Sequence, residues 1–317
     1  MELDLRIFCP VYYDVPSFLE LQKRIAAALP EKKIFFYVVD DSAGGDVRMQ
    51  EIHSLPNVKI FRPPVNLGHQ RAIVYGLRSY FADPTDEAII VTMDGDGEDD
   101  PQDIARLLKA YSEGGGKAVV FASRTTRDVS FWFKFCYFFY EKLFRILTGM
   151  KVKSGSFCVA HPANLKRVIF HPYFEFCYAS ALQATLKNKI FVPCARAKRI
   201  EGDSKMSFTG MVGYGIKTLL PHSERVALRG MIFFSLLLLG TLLSFIALGA
   251  AKFFLGIGFF DHFSFFGGFL LLTFLSLATG FTLFFTQFAK YEALAFARLL
   301  PTRPQQENSG PLDQTKK

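Results

Sequence analysis

Two stretches near the C-terminus constrain this chain before any other feature. Gly230 to Ala251 is 22 consecutive residues without a charge, rich in Leu and Phe, and Phe263 to Ala289 is 27 more. About 20 predominantly apolar residues suffice for a helix to cross a bilayer, so both stretches are expected to span one. The short connection between them carries Lys252, Asp261 and His262; Arg225 and Arg229 precede the first, and Lys290, Arg298 and Arg303 follow the second. Lys and Arg favour the cytoplasmic side. The expected topology is a two-helix hairpin (about 230–251 and 263–289) in the inner, cytoplasmic membrane, with the preceding domain and both termini in the cytoplasm.

Charge divides the chain. The net charge of +8 invites a nucleic-acid reading, but residues 1–123 hold 13 Lys/Arg against 19 Asp/Glu, whereas residues 124–317 hold 24 against 10. The basic excess adjoins the spans, where anionic lipid attracts it, and no nucleic-acid-binding motif accompanies it. Half of the residues are apolar and 21% are charged, which excludes a disordered chain, a collagen or a coiled coil. The N-terminus, Met1-Glu2-Leu3-Asp4, lacks the basic region of a cleavable signal peptide. Cys9, Cys136, Cys158, Cys177 and Cys194 are odd in number and scattered, which favours a reduced compartment over a disulfide framework or zinc site. Residues 304–317 are polar and read as a disordered tail.

The first 200 residues alternate two kinds of signal. Leu5–Cys9, Ile34–Asp40, Val58–Phe61, Ala88–Met93 and Ala118–Ala122 are short apolar runs, and Pro16–Leu29, Gly68–Phe81 and Pro101–Tyr111 are amphipathic segments. Such alternation predicts an α/β domain, a mostly parallel sheet covered by helices, whose ligand lies at the carboxyl ends of the strands. Acidic residues fall there. The second run ends in Asp40-Asp41-Ser42, and the fourth leads into Asp94-Gly95-Asp96-Gly97-Glu98-Asp99-Asp100-Pro101. Carboxylates at i and i+2 just past a buried strand can share one hard divalent cation, which also holds substrate phosphates. An EF-hand is excluded, because its glycine position holds Asp99 and its terminal glutamate position holds Ala105. Asp99 or Asp100 is expected to cap the helix beginning at Pro101. There is no GxxxxGK[ST], and no GxGxxG follows the first run, which removes the main support for P-loop and dinucleotide readings.

Taken together, the motifs resemble the inverting family-2 glycosyltransferases of the GT-A fold, and among them the polyprenyl-phosphate sugar transferases. The likeness rests on Pro10-Val11-Tyr12-Tyr13-Asp14 for P-x-Y-N-E, Val39-Asp40-Asp41-Ser42 for V-D-D-x-S, and Asn66-Leu67-Gly68-His69-Gln70-Arg71-Ala72 for N-x-G-x-x-x-A. Asp94-Gly95-Asp96 stands for DxD, with Glu98 at a third ligand position, and Ser123-Arg124 for G-S-R. Ser154-Gly155-Ser156-Phe157 resembles the S/T-G-x-F loop without its preceding acid, and Arg199 with Gly202-Asp203-Ser204-Lys205-Met206 resembles R-x-x-G-E-S-K-Y. The resemblance implies a GT-A domain over 1–206, a juxtamembrane amphipathic segment over 207–229, the hairpin over 230–289 and a cytoplasmic tail over 290–317. It implies that Pro10, Tyr12, Asp14, Asp41, Asp94 and Lys205 bind a nucleotide sugar and that Asp94, Asp96 and Glu98 hold Mg²⁺ or Mn²⁺ on its diphosphate. The acceptor is then a lipid phosphate.

That chemistry accounts for the basic half. A phosphate monoester is already an anionic nucleophile, so it needs steering more than deprotonation. Arg124 and Lys134 are the expected acceptor-phosphate contacts, and Arg199, Ser204 and Lys205 contact the donor diphosphate or the acceptor. Asp94, Asp96, Arg124 and Arg199 form the expected catalytic set. Lys187, Lys189, Arg225 and Arg229 read as leaflet contacts, and Arg196 as a solvated charge. The aromatic segment Ser130–Leu147 either lies in the membrane interface or packs on the sheet. A processive synthase with a saccharide acceptor lacks its QxxRW motif here, since Trp132 lies in Phe131-Trp132-Phe133. A non-catalytic membrane scaffold has no need of Asp41, Asp94 and Asp96. The sequence leaves the sugar, the nucleotide and self-association open.

Overall fold

A computed structural model describes residues 4–82, 87–124, 131–151, 155–201, 208–255, 267–268, 270–283, 286 and 290. Its elements are, in chain order, β1 (Leu5–Val11), α1 (Val15–Ala28), β2 (Ile34–Asp40), α2 (Met49–His53), β3 (Val58–Phe61), α3 (His69–Ala82), β4 (Ile89–Thr92), α4 (Pro101–Glu113), β5 (Val119–Arg124), α5 (Phe131–Thr148), β6 (Cys158–Ala160), α6 (Pro162–Lys166), α7 (Tyr178–Thr185), β7 (Lys189–Cys194), α8 (Phe208–Leu219) and α9 (Ser223–Leu255). Two 3-10 turns, Pro172–Glu175 and Leu220–His222, lead into α7 and α9.

The strands form one seven-stranded sheet in the order β3-β2-β1-β4-β6-β5-β7. It is parallel except for β6, which runs antiparallel to both β4 and β5. The sheet sorts its residues by the two-residue period of a strand. Leu5, Ile7, Cys9 and Val11 face a core shared with Phe18 and Leu21 of α1 and Ile104 and Leu107 of α4. Phe8 faces the other side, where Ile73, Val74 and Leu77 of α3 pack with Tyr178 and Leu182 of α7. Each fully buried large side chain contributes roughly 1.5–3 kcal/mol, and both faces are covered, as a parallel sheet requires.

The proline in β1 shapes the site. Between Leu5 and Val11, β1 pairs with β2, but its pairing with β4 stops at Phe8 opposite Thr92. Pro10, which has no N–H to donate, therefore sits where β4 has already left the sheet. The chain after β4 turns beneath it, and a side chain on Gly95 would approach the Pro10 carbonyl to 2.8 Å. Strand order reverses between β1 and β4, the switch point whose crevice binds the ligands of such sheets.

Beyond the sheet, Phe144, Phe176, Leu219, Leu220 and Val226 form a small third core that joins α5, α8 and the start of α9. The aromatic α5 does not bury itself against the sheet, because Phe135, Phe138, Phe139, Leu143 and Ile146 are exposed. Helix α9 has 33 residues, and Phe233, Leu236, Leu243 and Phe253 along it are exposed. Among the described residues, one helical stretch, Gly210–Ser244, is long and apolar enough to cross a membrane. The segment Leu270–Leu283 is a shorter apolar helix, whose Phe281 packs on the third core.

Candidate active site

The crevice is lined by the loops after β1, β2 and β4. After β4 the chain makes a tight acidic loop. Asp99 Oδ2 accepts the Asp94 N–H at 3.0 Å, and Asp96 Oδ1 accepts the Glu98 N–H at 3.0 Å. Gly97 makes the turn possible, with φ of +81° and no room for a side chain, since a Cβ would lie 2.5 Å from Ile200. Asp100 caps α4 by accepting the Gln102 N–H at 2.9 Å; the expected choice between Asp99 and Asp100 thus falls on Asp100, and Asp99 holds the loop instead.

This geometry brings Asp94, Asp96 and Glu98 together, each offering an oxygen within 4.8 Å of the others. Burial, the neighbouring Asp94 and the nearby Glu98 raise the pKa of Asp96, outweighing the Glu98 N–H and Arg199. Burial and then the charges of Asp94, Asp99 and Asp96 push the Cys9 thiol well up, so it stays protonated. A site made only of crowded hard oxygen donors, with negative charge to spare, fits a divalent cation such as Mg²⁺ or Mn²⁺.

Two arginines from the chain after β7 close over this loop. Ala197 N–H donates to the Glu98 carbonyl and Ile200 N–H to that of Asp96, each at 3.0 Å. The Arg196 guanidinium pairs with Glu98. Arg199 pairs with Asp96 at 2.5 Å, and lies 3.9 Å from Glu98 and 4.0 Å from Asp14. Arg199 thus stands among carboxylates from two loops. Arg196, read from the sequence as a solvated charge, is a partner of the acidic loop.

The loop into α3 supplies a residue that the sequence did not single out. His69 Nε2 lies 2.8 Å from Asp94 Oδ1. Burial pulls the imidazole pKa down, but Asp94, with Asp96 and Asp99 behind it, outweighs this and raises it. The only sequence signal was the place of His69 in the helix-start motif. Asp41, 2% exposed, fixes the same loop. Its Oδ1 accepts the Leu67 N–H at 2.7 Å, while its carbonyl accepts from Asn66 Nδ2 at 2.9 Å. Burial raises the pKa of Asp41 against the Leu67 and Gly68 N–H groups. Next to it, Asp40 is fully buried and pairs with Arg62 at 2.9 Å.

Tyr12 and Tyr13, just after β1, are 45% and 50% exposed, and their rings meet edge to face with centroids 4.9 Å apart. Pro10 is buried at the end of β1, and Asp14 precedes α1. Arg124 ends β5 in register with Cys194. The side chains of Arg124 and Lys134, and all of Ser204 and Lys205, lie outside the described residues.

A family model described as glycosyl transferase family 2 matches residues 7–174, more than half of the chain, including the loops after β1, β2 and β4 but not Arg196 and Arg199. The chain belongs to that family. It is a glycosyltransferase of the α/β GT-A type, as its motifs led one to expect. It is 32% identical over 133 residues to the uncharacterized glycosyltransferase YkcC of Bacillus subtilis, a match covering 40% of this chain and 39% of that one. It is 24% identical over 239 residues to the undecaprenyl-phosphate 4-deoxy-4-formamido-L-arabinose transferase of Edwardsiella ictaluri, covering 70% of this chain and 69% of that one. Among solved structures, glucosyl-3-phosphoglycerate synthase of Mycobacterium tuberculosis superposes with a TM-score of 0.49 at 15% identity, covering 71% of this chain and 80% of that one.

Proposed function

We propose that this glycosyltransferase moves a sugar, with inversion, from a nucleoside-diphosphate sugar to a polyprenyl phosphate such as undecaprenyl phosphate, at the cytoplasmic face of the inner membrane. The observation that carries this reading is the oxygen cluster of Asp94, Asp96 and Glu98 at the carboxyl edge of the sheet, in a chain whose α9 exposes apolar side chains along its length. The name of the Edwardsiella relative supports the acceptor class.

In this reading Asp94, Asp96 and Glu98 hold Mg²⁺ or Mn²⁺. When bound, the cation neutralises charge that builds on the leaving diphosphate. Pro10, Tyr12, Asp14 and Asp41 shape the nucleotide pocket, with the Tyr12 ring available to the base. Arg199 now pairs with Asp96. Arg199 would exchange that carboxylate for the diphosphate, whose oxygens its forked guanidinium matches. Arg124, Lys134, Ser204 and Lys205 steer the acceptor phosphate and the diphosphate. The acceptor oxygen is already anionic, so no side chain has to remove a proton from it. The domain layout follows: a catalytic domain over 1–206, a juxtamembrane segment over 207–229, a membrane hairpin over 230–289 and a cytoplasmic tail.

The test is transfer of label from a panel of UDP- and GDP-sugars to undecaprenyl phosphate by the purified full-length protein with added Mg²⁺ or Mn²⁺. One donor should yield a chloroform-soluble product, and Asp96→Asn should abolish it while the protein still folds and inserts. Full activity of Asp96→Asn after chelation removes the metal reading; transfer to a saccharide instead of the lipid removes the acceptor assignment.

A further inference from the structure

A second polar cleft, of about 420 Å³, lies at the far end of α7 from the active site. The N-terminal end of α7 faces the site, since the Ala179 N–H donates to Gln70 Oε1 at 3.0 Å, one residue from His69. The cleft instead includes Thr185, the last residue of α7, together with Arg167, His171 and Tyr173 after α6, His222 just before α9 and Arg225 in its first turn. The eight-residue α7 separates the two by about 12 Å.

The charges in the cleft are unbalanced. Glu224 is its carboxylate, and it faces the Tyr173 hydroxyl, whose pKa is raised by burial and then by Glu224. Among the described residues neither Arg167 nor Arg225 forms an ion pair; Arg225 reaches Met150 Sδ at 3.4 Å, a weak acceptor. Lys189 lies close behind, and burial and the charge of Arg225 lower its pKa. Two guanidiniums around an open cavity, backed by an ammonium, suit a phosphate group.

The surroundings indicate what carries that phosphate. On α9 the residues Arg225, Leu228 and Ile232 follow the i, i+3, i+7 spacing of one helix face, and Leu228 and Ile232 are 59% and 52% exposed. Phe170, beside the cleft, is 53% exposed. A track thus runs from the arginines in the cleft onto the apolar flank of a helix long enough to cross a bilayer. We propose that this cleft binds the phosphate headgroup of an anionic membrane lipid, with Arg167 and Arg225 as its donors and the acyl chain lying along Leu228 and Ile232. This site is separate from the acceptor phosphate in the crevice and does not depend on the sugar-transfer reading.

The test uses the full-length protein in vesicles of equal phosphatidylcholine and phosphatidylglycerol, released into mild detergent, with retained lipids counted by native mass spectrometry. Wild type should keep phosphatidylglycerol over phosphatidylcholine by ten-fold or more, and the double substitution Arg167→Gln with Arg225→Gln should erase the preference. Equal retention of both lipids by wild type overturns the proposal, whether or not the double variant folds. An undiminished preference in a folded double variant also overturns it. Displacement of the lipid by an equal concentration of inorganic phosphate overturns the lipid assignment and hands the cleft to a soluble phosphate.

Discussion

His69 Nε2 stands 2.8 Å from Asp94 Oδ1, joining the start of α3 to the acidic loop after β4. A residue that orients a metal-binding carboxylate acts on the metal through it, and loss of such a partner typically weakens metal affinity 10–100-fold. His69→Ala should raise the Mn²⁺ concentration for half-maximal transfer by about that factor. His69→Gln, which keeps a donor, should recover much of the loss. A purely structural role would lower the melting temperature and leave the metal titration unmoved.

Gly97 is held between two requirements, a φ of +81° and the Ile200 side chain 2.5 Å from where a Cβ would sit. Gly97→Ala should destabilise the domain by about 1–3 kcal/mol, from the left-handed backbone and the clash together. It should also push the chain carrying Arg196 and Arg199 off the acidic loop. Transfer should therefore fall further than the fraction of folded protein, measured by chemical denaturation beside the activity assay.

Arg78 and Glu175 form a buried ion pair at 2.7 Å, and Arg78 Nε also donates to the Ile169 carbonyl at 2.9 Å. Removing one partner of such a pair leaves a charge without its counter-ion and costs about 3–5 kcal/mol. Arg78→Ala should lose that much stability, whereas Arg78→Met with Glu175→Gln should recover part of it. Denaturant midpoints at pH 7 distinguish the two.

His222, 3% exposed, is surrounded by positive charge: burial and then Arg225 and Lys189 lower its pKa from 6.5 to about 4. The folded protein therefore prefers the neutral imidazole. This contribution to stability is full above pH 6.5 and is lost as the pH falls towards 4, reaching about 3 kcal/mol by linkage. Melting temperature in detergent should drop across that window, and His222→Gln should flatten the drop.

Tyr13 sits at φ of +48°, a region that Asn and Gly enter far more readily than an aromatic residue. The motif resembled by this segment has Asn there. Tyr13→Asn should stabilise the domain by about 1 kcal/mol, read from the denaturant midpoint, and should reveal through the donor KM whether the ring also meets the nucleotide.

The parts of this molecule that could be read from its sequence are those in which a local pattern and the fold agree. β2 and β3 lie where their apolar runs place them, because each run matches one strand bounded by polar or proline residues, β2 half-buried inside the sheet and β3 at its edge. β6 escaped because three residues carry no period, and it owes its antiparallel place to the strands on either side. β7 escaped because Lys189 and Pro193 interrupt it at the sheet edge, where a proline is tolerated. The three carboxylates were legible because they fall at alternate positions within five residues of chain. Their partners His69, Arg196 and Arg199 come from loops 25 or more residues away, and such pairings are made by the sheet, which no local pattern describes.

The clamp over the acidic loop has a mechanical consequence. Arg199 and Phe208, the first residue of α8, are nine positions apart, at most about 30 Å of chain. α8 continues almost without interruption into the apolar α9. The segment that grips Asp96 and Glu98 is therefore a short tether from the site to α8, which the third core also holds. A change that frees Arg196 or Arg199 from the acidic loop should therefore also loosen one of the ties between the sheet and α8, the other being the packing of Leu219, Leu220 and Val226 on Phe144 and Phe176.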